Sequence, residues 1–291
     1  MEVILLTETT EITENLVLVS DLETRYLSGG PQNAPTVVFI HDGAYGGAAD
    51  VTWGKILPEA AKTYRVIAPD LLGYGGSAKS IRADVSPFAF RIRHIFSLLD
   101  QLGVTAPVHF VGNSFGGSIG LRALADEKYR DRIASVSTFN GTGGPWKAPD
   151  MAKLGAFDGT RESLEQLVDL LCDPVDDKSA HVEARYKWAI TPGHFITMRA
   201  PHTQLPEALK VERPADTFPA QLKAVNTPAL LVECSKDTLL QEGWSKNLAE
   251  SMGNARREVL DRKHCPNITH PEEAWDLIDD FLTSVIESGA N

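Results

Sequence analysis

Cysteine is scarce in this sequence, and positive charge is in short supply. Only three of the 291 residues are cysteine, Cys172, Cys234 and Cys265. They are odd in number, far apart and without C-x-x-C spacing, which argues against both a disulfide framework and a structural zinc site. Lysine and arginine total 28 against 39 aspartates and glutamates, a formal net charge of -11. With no dense Lys/Arg cluster, this argues against a nucleic acid as partner, and none is expected. A small anion is not, because one well-placed arginine can hold it. Long apolar runs are also missing: none approaches the roughly 18 residues that cross a bilayer, so no membrane partner is expected. The amino-terminal MEVILLTETTEITEN carries glutamates where a secretory leader carries lysine or arginine, and a soluble cytoplasmic protein is expected. Repeats and low-complexity segments are absent.

What remains is an ordinary globular composition, 43% hydrophobic and 23% charged, in a chain long enough for one large domain with an insertion or two modest domains. Alternating or β-branched runs at 16–20 and 23–27 predict an antiparallel hairpin, and the continuous apolar run 36–40 a buried strand. A glycine-rich loop follows, then a helical stretch over 53–62 and a short strand at 64–68. Residues 69–80 read as a loop, 86–102 have helical apolar spacing, and 108–112 and 133–139 are further strands. Strands and helices thus alternate as in a mostly parallel, doubly wound α/β sheet. From 141 to 220 the pattern changes: prolines are frequent, no strand run stands out, and 162–171 and 181–189 look helical. This predicts a helical lid at 141–220 inserted into a core made of 1–140 and 221–291. Beyond it come a strand at 229–233, a helix over 240–252, a strand at 257–260 and an amphipathic helix from 271 to 286.

The densest chemical signal is 108–123, VHFVGNSFGGSIGLRA. Gly112, Ser114 and Gly116 fill G-x-S-x-G, in which a serine on a strained strand-to-helix turn lifts its hydroxyl clear of the sheet. An ordinary glycine-flanked turn would also read this way. A serine hydroxyl needs a base, and the base needs an acid. Among eight histidines, His264 stands in the loop after the last strand, where it can reach over the sheet edge. His270 precedes the final helix, and His41 reads as structural, bonding loop backbone. No metal is implied, since spacing such as H-E-x-x-H is absent. Asp237 follows the strand at 229–233, and Ser114, Asp237, His264 is the chain order of a nucleophile-elbow hydrolase. Asn140, after the preceding strand, cannot supply the charge. The oxyanion donors implied are the N–H groups of Phe115 and of Gly43 in the His41 loop.

These residues carry a resemblance. The His41-Asp42-Gly43 loop, Asp70-x-x-Gly73-x-Gly75-x-Ser77, the GNSFGG elbow, Asp237 and the H-x-P of His264 to Pro266 resemble the α/β-hydrolase superfamily over nearly the whole chain. Within it the sequence is similar to the meta-cleavage-product hydrolases, which cut a carbon-carbon bond in ring-fission products of aromatic degradation. Asn113 before the serine, the segment 163–193 with Arg185, and the carboxyl-terminal 264–282 carry that likeness. The resemblance implies a small vinylogous diketo acid as substrate, no cofactor, a tendency toward homo-oligomers, and Asn113 and Arg185 among the substrate-binding residues. Arg185 would grip the substrate carboxylate; a solvated lid arginine is the other reading. The chain departs from the family at Asp42 and Tyr45, in a loop usually all small, and at Cys265, where tryptophan usually follows the histidine. Asp42 and Cys265 fall in the expected substrate region. A carboxylesterase or lactonase with the same three residues, a cofactor-free oxygenase, and a ligand-binding protein or receptor on the same fold are the alternatives.

Overall fold

The computed structural model describes residues 11–82, 84–203, 206–211 and 215–289; the apolar run at the amino terminus lies outside them. Eight strands form one sheet: β1 (Thr13–Val19), β2 (Leu22–Gly29), β3 (Thr36–Ile40), β4 (Arg65–Pro69), β5 (Val108–Asn113), β6 (Ile133–Phe139), β7 (Ala229–Cys234) and β8 (Ala255–Leu260). Their order is β1-β2-β4-β3-β5-β6-β7-β8. The β1–β2 hairpin lies antiparallel against β4, and every pairing from β4 to β8 is parallel. The strand order explains the sequence pattern. β3, β5, β6 and β7 have neighbours on both sides and helices over both faces, so every residue in them is buried and no alternation survives. β1 is an edge, and its Leu16 and Leu18 stay exposed.

Two cores flank the sheet. One packs Phe96, Leu99, Ile119, Leu121 and Trp244 from the helices Pro87–Gln101, Phe115–Ala125 and Trp244–Ala249 onto one face. The other packs Trp53, Leu57, Ile278, Phe281 and Leu282 onto the opposite face. Caps fix the helix starts. The Ser86 hydroxyl accepts from the Phe88 N–H, with Pro87 in the first turn, and Thr160 caps the helix Arg161–Leu171 in the same way.

Two expected helices are shorter than their apolar spacing suggests. The stretch over 53–62 is two short turns, Ala49–Trp53 and Leu57–Ala60, because Pro58 has no N–H to continue a helix and fits only the first turn of a new one. The helix over 240–252 shrinks to Trp244–Ala249, because Gly243 sits at φ 78 and starts it late. Between β6 and β7 the described residues form the helices Arg161–Leu171, Lys178–Ala189 and His194–Arg199 and short 3-10 turns, with one isolated antiparallel bridge from Lys147 to Leu240. These helices enclose a third core of Leu164, Leu167, Val168 and Val182, which also takes in Ala44 and Tyr45 from the loop after β3 and Cys265 from the loop after β8. Residues at the carboxyl ends of strands therefore meet the insertion. No helix among the described residues is long and apolar enough to cross a membrane.

Candidate active site

Ser114 stands where β5 gives way to the helix Phe115–Ala125, at φ 55 and ψ -114. Such backbone is costly for a residue with a Cβ and persists only where neighbours hold it. Here they do. The Ser114 N–H donates to the Phe139 carbonyl at 2.8 Å, and its own carbonyl accepts from the Ser118 N–H and hydroxyl, both at 3.0 Å. The flanking glycines allow close packing: a Cβ on Gly116 would overlap the Ile40 carbonyl, and one on Gly112 the Gly116–Gly117 backbone. The turn is thereby pressed against the end of β3 and the loop beyond it. A Cβ on Gly43 would lie 2.6 Å from that of Phe115, so the two expected oxyanion donors are neighbours. Phe115 opens its helix and has no intrahelical acceptor for its N–H. Neither its N–H nor that of Gly43 has a protein acceptor among the described residues.

His264 and Asp237 meet beside the elbow. Nδ1 of His264 lies 2.7 Å from Oδ2 of Asp237, with the two side chains 1% and 2% exposed. The other Asp237 oxygen, Oδ1, accepts from the Leu239 N–H at 2.8 Å. With Nδ1–H donating to the carboxylate, the lone pair of a neutral imidazole is on Nε2, which is buried and has no hydrogen-bond partner among the described residues. Burial disfavours the imidazolium, but the Asp237 charge and hydrogen bond outweigh it and raise the His264 pKa above its ordinary value. His41 is engaged with backbone: Nδ1 is 2.6 Å from the Asp42 carbonyl, and Nε2 accepts from the Leu71 N–H at 2.9 Å. Burial lowers its pKa.

Asn113 and Cys265 touch each other. The Asn113 amide donates to the carbonyls of Phe139 and His264 at 3.0 and 3.1 Å, and its oxygen accepts from the Cys265 thiol at 3.2 Å. Burial pushes the Cys265 pKa up, which keeps the thiol protonated as a donor. Asn140, read from sequence only as unable to hold charge, has a part of its own. Its amide donates to the His264 carbonyl at 2.9 Å and its oxygen accepts from the Cys234 N–H at 2.9 Å.

Arg185 is neither a surface arginine nor a cation free of protein carboxylate. Its side chain is wholly buried. NH1 and NH2 donate to the two Asp42 oxygens at 3.1 and 2.8 Å, and NH1 reaches the Tyr45 carbonyl at 3.3 Å. The carboxylate it grips here is the protein's own, that of Asp42. Asp42 also accepts from the Thr52 hydroxyl at 2.7 Å and the Ala44 N–H at 2.9 Å. Its charge is therefore consumed locally, which answers how an aspartate can sit next to a candidate oxyanion donor. Burial would raise the Asp42 pKa, but Arg185 and these bonds hold it well below the usual carboxylate range, while the Arg185 pKa is raised in turn.

A family model described as "Alpha/beta hydrolase family" matches residues 37–277. The chain belongs to the alpha/beta hydrolase family. Among curated relatives, this hydrolase is similar to the 2-hydroxy-6-oxo-6-(2'-aminophenyl)hexa-2,4-dienoic acid hydrolase of Metapseudomonas resinovorans, 26% identical over 93% of this chain and 91% of the relative. It is 30% identical to the 2-hydroxymuconate semialdehyde hydrolase of Pseudomonas putida over 77% of this chain and 78% of the relative. Among solved structures it superposes on the 2-hydroxy-6-oxo-6-phenylhexa-2,4-dienoate hydrolase of Rhodococcus sp. strain RHA1 with a TM-score of 0.80 and 25% identity, covering 95% and 99% of the two chains.

Two further residues of the hydrolase lie next to this site and are not singled out by the sequence. Tyr74 donates its hydroxyl to the Gly43 carbonyl at 3.1 Å. His194, a buried residue of the insertion, lies 148 positions from the Gly46 N–H that it accepts, at 3.1 Å. Only Tyr74's place in the glycine loop after Asp70 could have drawn attention to it. Chemically the arrangement offers a basic nitrogen backed by a carboxylate, a hydroxyl on a raised turn, and two free N–H groups beside that turn.

Proposed function

We propose that this hydrolase uses Ser114 as nucleophile, His264 as general base and Asp237 as the partner that holds the imidazole tautomer, and that it cleaves a carbon-carbon bond in a vinylogous diketo acid. The observation that carries the reading is the buried Asp237–His264 pair, 2.7 Å apart with Nε2 free, tied through the Asn113 amide to the strained serine turn. After the dienol becomes a ketone, Ser114 Oγ attacks the carbonyl as His264 takes its proton. The N–H groups of Phe115 and Gly43 receive the oxyanion, each worth about 3 kcal/mol in the barrier. Collapse breaks the carbon-carbon bond, and the departing carbon takes the proton back from His264. Water, deprotonated by the same base, then hydrolyses the acyl-serine. The names of the relatives support this substrate class. The reading takes the enzyme as cytoplasmic, free of cofactor and acting on a small molecule.

One observation favours a second reading. Because Arg185 is neutralised by Asp42, the site has no cation there for an acidic substrate end, and a carboxylesterase or lactonase needs none. A spectrophotometric panel decides between the two. Coloured vinylogous diketo acids turned over at least as well as nitrophenyl esters support carbon-carbon cleavage; fast ester cleavage with the diketo acids untouched leaves the esterase. Ser114→Ala with near wild-type turnover of either class overturns the nucleophile assignment.

A further inference from the structure

The loop that carries Gly43 is held from outside the sheet. Arg185 binds both oxygens of Asp42 and the carbonyl of Tyr45. The Tyr45 ring packs on Phe157 and Phe195, with centroids 4.7 and 5.8 Å away. Gly46 lies at φ +73, and a Cβ there would overlap the Arg185 carbonyl oxygen. Its N–H donates to Nε2 of His194 at 3.1 Å, while Nδ1 of the same ring sits 2.8 Å from the Gly73 carbonyl. Only the neutral ring with the proton on Nδ1 makes both bonds. Burial pushes the His194 pKa down to about 4 and keeps that form at neutral pH. Arg185, His194, Phe157 and Phe195 all belong to the insertion. On both sides of Gly43, then, the insertion fixes a carboxylate, a carbonyl, a ring and an N–H.

An oxyanion donor works only if it lies within hydrogen-bond distance of the place where negative charge develops, which differs from where the ground-state carbonyl rests. Its value is therefore a matter of loop position, and a misplacement of about 1 Å can cost about 10²-fold. We propose that Arg185 and His194 are positioning residues for the oxyanion loop: the helical insertion sets where the Gly43 N–H meets the tetrahedral intermediate. The proposal rests on the serine-hydrolase reading above and gives the insertion a part in the chemical step itself. It applies equally to carbon-carbon and ester substrates, because both pass through an oxyanion.

Glutamine can replace both histidine bonds, its amide oxygen accepting from Gly46 and its NH2 donating to Gly73, whereas leucine replaces neither. On a nitrophenyl ester, His194→Leu is expected to lose at least about tenfold in kcat with KM within about threefold, and His194→Gln to regain most of the loss. Affinity for a trifluoromethyl ketone, which mimics the tetrahedral state, falls in parallel with kcat. Wild-type kcat in His194→Leu, equal impairment of the two variants, or a change confined to KM would each overturn the proposal. Should His194→Leu not fold, the double variant Asp42→Asn/Arg185→Met removes the other tether without stranding a charge; wild-type kcat there also overturns it. Ser114→Ala in the same assay separates the two levels, since its retention of activity defeats the nucleophile assignment whatever His194 does.

Discussion

Asp42→Asn is the sharpest probe of how the loop after β3 is held. The substitution keeps the shape of the side chain and removes only its charge, leaving the Arg185 guanidinium wholly buried with no anionic partner. Breaking a buried ion pair from one side costs about 3–5 kcal/mol, because the stranded charge pays its full desolvation. An asparagine oxygen can still accept one Arg185 bond, so the lower end, about 3 kcal/mol, is expected. At about 2–4 °C per kcal/mol for a large domain, the melting temperature drops by about 6–12 °C. Because the pair is screened from solvent, the drop should be the same in dilute buffer and at about 0.5 M salt.

The pH dependence follows from the depressed carboxyl of Asp42. Its contribution is complete above the unfolded-state value of about 3.9 and is lost only as pH falls through the lower folded value. The gap between wild type and Asp42→Asn should therefore be flat from pH 5 to 8 and close below about pH 4. Adding Arg185→Met should recover most of the stability, since an apolar replacement of a buried pair is often near neutral. Calorimetric scans of the three proteins check this. A loss under about 1 kcal/mol for Asp42→Asn, or one that salt abolishes, refutes the buried-pair account.

Other outcomes follow from the same geometry. Asp237→Asn should lower kcat by about 10⁴-fold while leaving the fold intact, because the imidazole loses the partner that fixes its tautomer. In the wild type the rise of kcat/KM with pH should centre above the ordinary histidine value of about 6.5, and an acid limb below it would contradict the upward shift of His264. Gly116→Ala should cost about 3 kcal/mol or more in urea unfolding, since the new methyl meets the Ile40 carbonyl rather than a side chain that can turn aside. A soluble variant with an unchanged midpoint would show that the turn is looser than described.

The architecture is largely legible in the sequence because central strands and amphipathic helices announce themselves by different periods. The strand at 36–40 matches its apolar run to the residue, since a strand buried on both faces leaves such a run unbroken, and the strand at 133–139 keeps its expected bounds although Ser135, Ser137 and Thr138 are buried within it. The helix expected over 240–252 is longer than the one that forms, because its apolar spacing says nothing about the left-handed glycine at 243. The strand-end positions of Asp237 and His264 can be ordered along the chain, but their 2.7 Å meeting is a fact of the fold. Asp42 and Arg185 are the hardest. They are 143 positions apart, and an arginine that grips a substrate, one that faces water and one that neutralises a buried aspartate are written alike. Only burial and partner tell them apart.

The two amides that converge on the His264 carbonyl have a consequence for how such a site can change. One comes from the end of β5 and the other from just past β6, so the backbone of the base is moored to two neighbouring strand ends; the Asn113 amide is itself bonded by the Cys265 thiol, whereas the Asn140 amide is held by the Cys234 N–H. Anchorage through a peptide oxygen is indifferent to side-chain identity. A change of side chain at position 265 therefore removes the bond to the Asn113 oxygen but leaves the Asn140 amide on the His264 carbonyl. The base thus has one mooring that depends on its neighbour in the chain and one that does not, so its backbone is anchored twice over.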